Sequence, residues 1–255
     1  MQLVLNENMK IYRRVRTWIM LGILLLLAAA FTFLLMAFET VEPSMWDVMQ
    51  MEASFLIVFV TVFAVVVSAE SVAGEFSTGT IKLLLIRPWT RSKILLSKYI
   101  SLLLFAAFFT AVLFVFTLLL NLIVFGTDAS YSFPGRDEGP LQFMLTFYGY
   151  KLVELLMVVT MSFMISTVFR SGGLAIGLSI FLLLGGSTLA GILSVFDYEW
   201  PKYVIFVHMN LTQHLNGTPL IEGVTLGFSL AVLAVYYLFF IALSWFVFNK
   251  RDVAA

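Results

Sequence analysis

Six long apolar stretches set the pattern of this chain, at residues 18–38, 53–73, 99–125, 146–169, 172–195 and 224–248. Each matches the roughly 20 residues that a helix needs to cross the hydrocarbon core of a bilayer. The pattern predicts an all-α membrane protein with six transmembrane helices in one domain, residues 1–255. Only Arg170, Ser171 and Gly172 separate the fourth stretch from the body of the fifth, which predicts a tight helical hairpin. The first stretch exceeds the roughly 7–15 apolar residues of a signal peptide, so it reads as a retained span.

The segments between the stretches differ in kind. Residues 1–17 carry Leu5, Met9 and Tyr12 at spacings of four and three, then Arg13, Arg14 and Arg16. This predicts an N-terminal interfacial helix whose arginines face anionic headgroups of the membrane lipid. Residues 39–52 and 126–141 read as ordinary polar connections, the second with Pro134-Gly135 and Gly139-Pro140 as turn signals. Residues 196–223 surround an apolar run, 203–209, that is too short to span, and predict a re-entrant or interfacial hairpin.

Charge then orients the chain. Twelve of its 15 basic residues lie on one side of the six spans: Lys10, Arg13, Arg14 and Arg16; Lys82, Arg87, Arg91, Lys93 and Lys98; Arg170; Lys250 and Arg251. The opposite side collects Glu39, Glu42, Asp47, Glu52, Asp128, Asp137, Glu138, Asp197, Glu199 and Glu222. The excess of Lys and Arg on the cytoplasmic side of membrane proteins predicts both termini in the cytoplasm of a multi-pass protein of the cell (plasma) membrane. Composition agrees: 61% of residues are hydrophobic and 12% charged, against roughly 25% charged in soluble domains. Zero net charge gives no reason to expect a nucleic-acid partner. The absence of cysteine excludes disulfides, thiolate metal sites and cysteine nucleophiles.

The segment between the second and third stretches carries the most information. Ser77 or Thr78 can cap a helix start, Gly79 permits a sharp entry, residues 81–86 form a short apolar helix, and Pro88 ends it. Trp89 follows at interfacial depth. The result is a short helix across the ends of two spans, with an apolar face and basic flanks, which invites a protein partner. The alternative is a basic loop whose leucines dip into the membrane.

The run from Gly74 to Leu85, with Pro88, Arg91, Lys98 and Tyr99 after it, resembles the loop between the second and third spans of ABC-2 type permeases, the membrane subunits of ATP-binding-cassette exporters. The motif covers about 30 residues, and the predicted topology resembles the family over the whole chain. The resemblance implies that this segment is a cytoplasmic coupling helix seated on an ABC ATPase subunit. It implies that Glu75, Phe76, Thr80, Ile81, Leu83, Leu84, Arg87 and Arg91 form the ATPase-coupling site. It also implies two copies of the ATPase and a second permease subunit, identical or homologous. No G-x-x-x-x-G-K-[ST] phosphate loop occurs in the chain, so no cofactor is expected here, and ATP with Mg belongs to the partner. The substrate implied by the apolar spans is an amphipathic peptide, lipid-like molecule or hydrophobic drug.

Other residues suggest further chemistry. Glu70, near the end of the second stretch, calls for a partner. Lys151 and Glu154, three apart on one helix, predict a pair. Asn121, Thr160, Ser162, Ser166, Thr167, Ser179, Ser187 and Thr188 lie inside spans, where interhelical hydrogen bonding is expected. Gly173 and Gly177 make a small-xxx-small pair that favours close helix approach. His208, His214, Glu199 and Glu222 gather in one segment, and a membrane-embedded enzyme built on them is the rival from another class. A membrane anchor or immunity protein without transport is the third reading.

Overall fold

In the computed structural model, residues 2–38, 44–81, 89–126, 139–196, 198–215 and 217–250 are described. A short helix, α1 (Gln2–Tyr12), precedes six long ones: α2 (Val15–Phe38), α3 (Met45–Ser77), α4 (Arg91–Phe125), α5 (Pro140–Val168), α6 (Gly172–Leu193) and α8 (Leu226–Lys250). Between α6 and α8 lie a 3₁₀ turn at Trp200–Tyr203, the one-turn α7 (Ile205–Met209) and a second 3₁₀ turn at Leu211–His214. All six long helices are long and apolar enough to cross a membrane, and no strand occurs among the described residues.

Helices α3 and α4 overrun the apolar stretches that mark them by about two turns or more. At 1.5 Å per residue, α3 and α4 reach about 50 Å, well beyond a hydrocarbon core of about 30 Å. Hydropathy marks only the part of a helix that must be apolar, whereas backbone hydrogen bonding continues until a cap intervenes. Ser44 caps α3, Thr90 caps α4 and Ser171 caps α6, each accepting a backbone N–H of the first turn. Pro140 opens α5, where its missing N–H costs nothing. Gly79 and Gly126, with φ of 72° and 73°, follow the ends of α3 and α4 in the conformation that favours glycine.

Two expectations are corrected by these caps. Residues 45–52 are the first turns of α3, not a polar connection. Ser77 and Thr78 finish α3 and do not start the next helix. Both hydroxyls bond the Gly74 carbonyl, and the Thr78 N–H does the same.

Helix α3 is the centre of the bundle, packed against α2, α4, α5 and α6, while α8 packs on α5. The main core joins Leu56, Val60 and Ala64 of α3 to Leu102, Phe105 and Phe109 of α4 and to Leu155, Val159 and Phe163 of α5. Hydroxyls stitch the buried contacts. Ser162 of α5 reaches the Val65 carbonyl of α3 (3.2 Å) and Ser179 of α6 (3.1 Å). Ser166 donates to the Ala69 carbonyl (2.7 Å) and accepts from the N–H groups of Val72 and Ala73. Tyr99 of α4 meets Thr160 of α5 at 2.8 Å. The connection from α5 to α6 is the expected tight one, and a Cβ at Gly172 would stand 3.7 Å from the Gly74 Cα.

Candidate functional site: the basic end of the bundle

The end of α3, the start of α4 and all of α1 converge at the end of the bundle richest in Lys and Arg. There α1 packs along α4, and its apolar Ile11 and Tyr12 join the main core. Its polar face enters a charge cluster. Lys98 of α4 is almost wholly buried, with 2% side-chain exposure. Its ammonium sits 2.7 Å from Glu75 Oε1, 3.0 Å from Glu7 Oε2 and 3.1 Å from the Ser71 carbonyl. Those three acceptors use all three ammonium hydrogens. Lys10 adds contacts to Glu7 at 2.6 Å and Glu75 at 3.3 Å.

Two carboxylates and two ammonium groups balance here, which makes the burial tolerable. Burial pushes the Glu7 carboxyl up, but Lys98 and Lys10 outweigh it and hold Glu7 below the usual carboxylate range. Burial likewise opposes the charge on Lys10, yet Glu7 and Glu75 hold its ammonium above the ordinary lysine value.

A second group lies alongside. Glu70 of α3 pairs with Arg14 (3.4 Å) and with Arg16. Glu70 thereby has the partners its position calls for, and Arg14 stays about half exposed beside it. Together the two groups line a cleft of about 840 Å³ between α1, α2, the end of α3 and the start of α6, where Ser171, Gly172 and Gly173 complete the wall.

The predicted coupling residues divide into four sets. Glu75 and Phe76 lie in the last turn of α3, Glu75 in the charge cluster and Phe76 half-buried against the main core. Thr80 is exposed, its hydroxyl 3.0 Å from that of Thr78, whereas Ile81 is buried in the core. Arg91 belongs to another contact, bonding the Asn249 carbonyl at 3.1 Å and so tying the start of α4 to the last turn of α8. Leu83, Leu84 and Arg87 lie outside the described residues. Sequence reading missed Glu7, although its position three residues before Lys10 is a spacing at which helical side chains meet.

The histidine group is differently built. His208 is fully buried; Nε2 lies 2.7 Å from the Lys202 carbonyl and Nδ1 2.9 Å from Ser229 Oγ. A carbonyl only accepts, so Nε2 carries the hydrogen and Nδ1 accepts from Ser229. His214 Nε2 then donates to Ser229 at 3.1 Å. Glu199 is paired with Lys202 instead, and no group of three His, Cys, Asp or Glu placed to hold a metal occurs among the described residues. Lys151 and Glu154 pair at 2.8 Å, as their spacing predicts.

These features define a multi-pass α-helical membrane protein with a charge-clamped end. The chain belongs to the family described as "Protein of unknown function (DUF2705)", which matches residues 16–254. It is similar to "Uncharacterized protein YhcI" of Bacillus subtilis (strain 168), at 36% identity across 100% of this chain and 99% of that protein. It is also similar to "Uncharacterized membrane protein YdbK" of the same organism, at 32% identity across 74% of this chain and 76% of that protein.

Proposed function

We propose that this chain is the permease subunit of an ATP-driven ABC exporter in the plasma membrane, with both termini cytoplasmic. The observation that carries the reading is the clamp at Lys98. It welds α1, α3 and α4 into one unit on either side of residues 82–88, the segment that resembles a coupling helix. A transmitting segment needs such anchorage, because a pull on a loosely held loop dissipates in the loop. In this reading α1 is the interfacial helix, residues 82–87 dock on an ABC ATPase with Ile81 anchoring them to the core, and residues 196–223 form the external re-entrant hairpin.

Two ATPase subunits supply ATP and Mg, and a second permease, identical or homologous, completes the path. Few residues of α2, α6 and α8 are fully buried in the single chain, which leaves faces for lipid and for that second subunit. Substrates are amphipathic: peptides, lipid-like molecules or hydrophobic drugs.

The test is co-purification in mild detergent from the native host, comparing the unaltered chain with Leu84→Asp. An ABC ATPase in stoichiometric yield with the first and absent from the second, at equal membrane insertion, is expected. No ATPase with the unaltered chain in several detergents, with nucleotide added, overturns the reading. Equal recovery with Leu84→Asp overturns the docking segment.

A further inference from the structure

A second polar group lies near the other end of the bundle, and the proposed transport function makes no use of it. Glu52 sits in the second turn of α3 with no exposure at all. Its Oε1 meets Thr32 Oγ1 of α2, and its Oε2 accepts from Asn121 Nδ2 of α4 at 2.6 Å. Thr32 and Asn121 are also fully buried. Three helices therefore meet on one carboxyl group.

Counting hydrogens decides its state. Thr32 Oγ1 lies within bonding distance of two acceptors, Glu52 Oε1 and the Ala28 carbonyl at 3.2 Å, but a hydroxyl has one hydrogen. An ionised Glu52 would take that hydrogen and leave the Ala28 contact without one. A protonated Glu52 donates to Thr32, whose own hydrogen then serves Ala28. Asn121 spends its two amide hydrogens on Glu52 and on the Thr117 carbonyl at 2.8 Å. An ionised carboxylate has about four lone-pair sites, and among the described residues it would receive one amide and one shared hydroxyl.

Among the described residues, no cation lies near enough to offset a charge. The titratable group facing this region from α5 is Tyr148, whose neutral hydroxyl lies near Thr117 and Glu52. The charged residues of α2 and α4, Arg16 and Arg91, Lys93 and Lys98, all lie at the opposite end. On α5, Lys151 is held by Glu154. Asp47, earlier on α3, carries the same sign as an ionised Glu52.

We propose that Glu52 is a proton-binding site: its carboxyl is a neutral acid at neutral pH, donates to Thr32, and clasps α2, α3 and α4 together. Loss of the proton removes that donor and leaves an unpaired charge in a buried junction of three helices, which loosens the clasp. The inference stands apart from the proposed transport function.

Infrared spectroscopy of the full chain in an ester-free detergent tests it directly. The protein is compared at neutral pH with and without ¹³C-carboxyl glutamate, and with Glu52→Gln. A protonated-carboxyl C=O band that shifts with the label and disappears in Glu52→Gln is expected. Its absence from the unaltered protein, or its persistence in Glu52→Gln, overturns the proposal. Thr32→Val keeps the carboxyl and removes its acceptor, so it should move the band to higher frequency. An unmoved band in that variant also counts against the assignment, whether or not Glu52→Gln folds.

Discussion

Lys98 of α4 and Glu75 of α3 form a buried ion pair at 2.7 Å, with Glu7 of α1 as the second carboxylate on the same ammonium. Removing one member of a buried pair leaves the other charge without compensation, at a cost of about 3–5 kcal/mol. Lys98→Met should therefore destabilise the protein strongly, read as a lower thermal midpoint in detergent. Lys98→Met with Glu75→Gln should cost less than the sum of the single changes, because the pair is lost together. By contrast Lys10, about half exposed, should cost at most about 1 kcal/mol when changed to Met.

Acid should loosen the segment between α6 and α8. Burial holds the His208 imidazole below its ordinary value, with the Lys202 carbonyl acting in the opposite direction and His214 adding to the depression. Burial depresses His214 as well. The unfolded chain therefore binds these protons at a higher pH than the folded one. Stability is full above about pH 6.5, the ordinary histidine value, and falls as pH drops below it. Protonating His208 also strips Ser229 of its acceptor. Thermal midpoints between about pH 5 and pH 8 should decline on the acid side, and His208→Gln should flatten that decline.

Ser166 links α5 to the backbone of α3 within one turn of Glu70. Ser166→Ala deletes a hydroxyl that serves the Ala69 carbonyl and the Val72 and Ala73 amides. The expected cost is about 1–3 kcal/mol for buried groups left short of a partner. Faster hydrogen exchange at Val72 and Ala73 than elsewhere in α3 would distinguish this local loosening from global destabilisation.

Gly186 of α6 lies directly beneath the Phe206 ring, where an added Cβ would overlap the ring carbons. Gly186→Ala should cost about 1–3 kcal/mol through overpacking and displace α7 from α6. Gly186→Ala combined with Phe206→Ala should recover part of the loss. No recovery in the double variant would point to a helix-geometry effect and away from the ring.

The number of long helices, the tight hairpin between α5 and α6, and the pairing of Lys151 with Glu154 were legible in the sequence because each is a local property. Hydropathy is a sum along the chain, and helical spacing alone brings residues three apart together. What the tertiary structure decided was which side of each helix meets which neighbour. Helices such as α3 and α4 are apolar nearly all round over their membrane-length cores, so their composition does not encode a facing direction. Glu52 illustrates the point. From its position it reads as one more acid in a polar connection, yet α3 runs from its cap at Ser44 to its cap at Thr78, past both ends of its apolar stretch, and packing turns Glu52 towards Thr32 and Asn121. Lys98 and Glu7 are 91 residues apart and meet only because α1 lies along α4. Segregation of charge to one end of the bundle is written in the sequence, whereas its assembly into a neutral buried cluster depends on the packing of three helices.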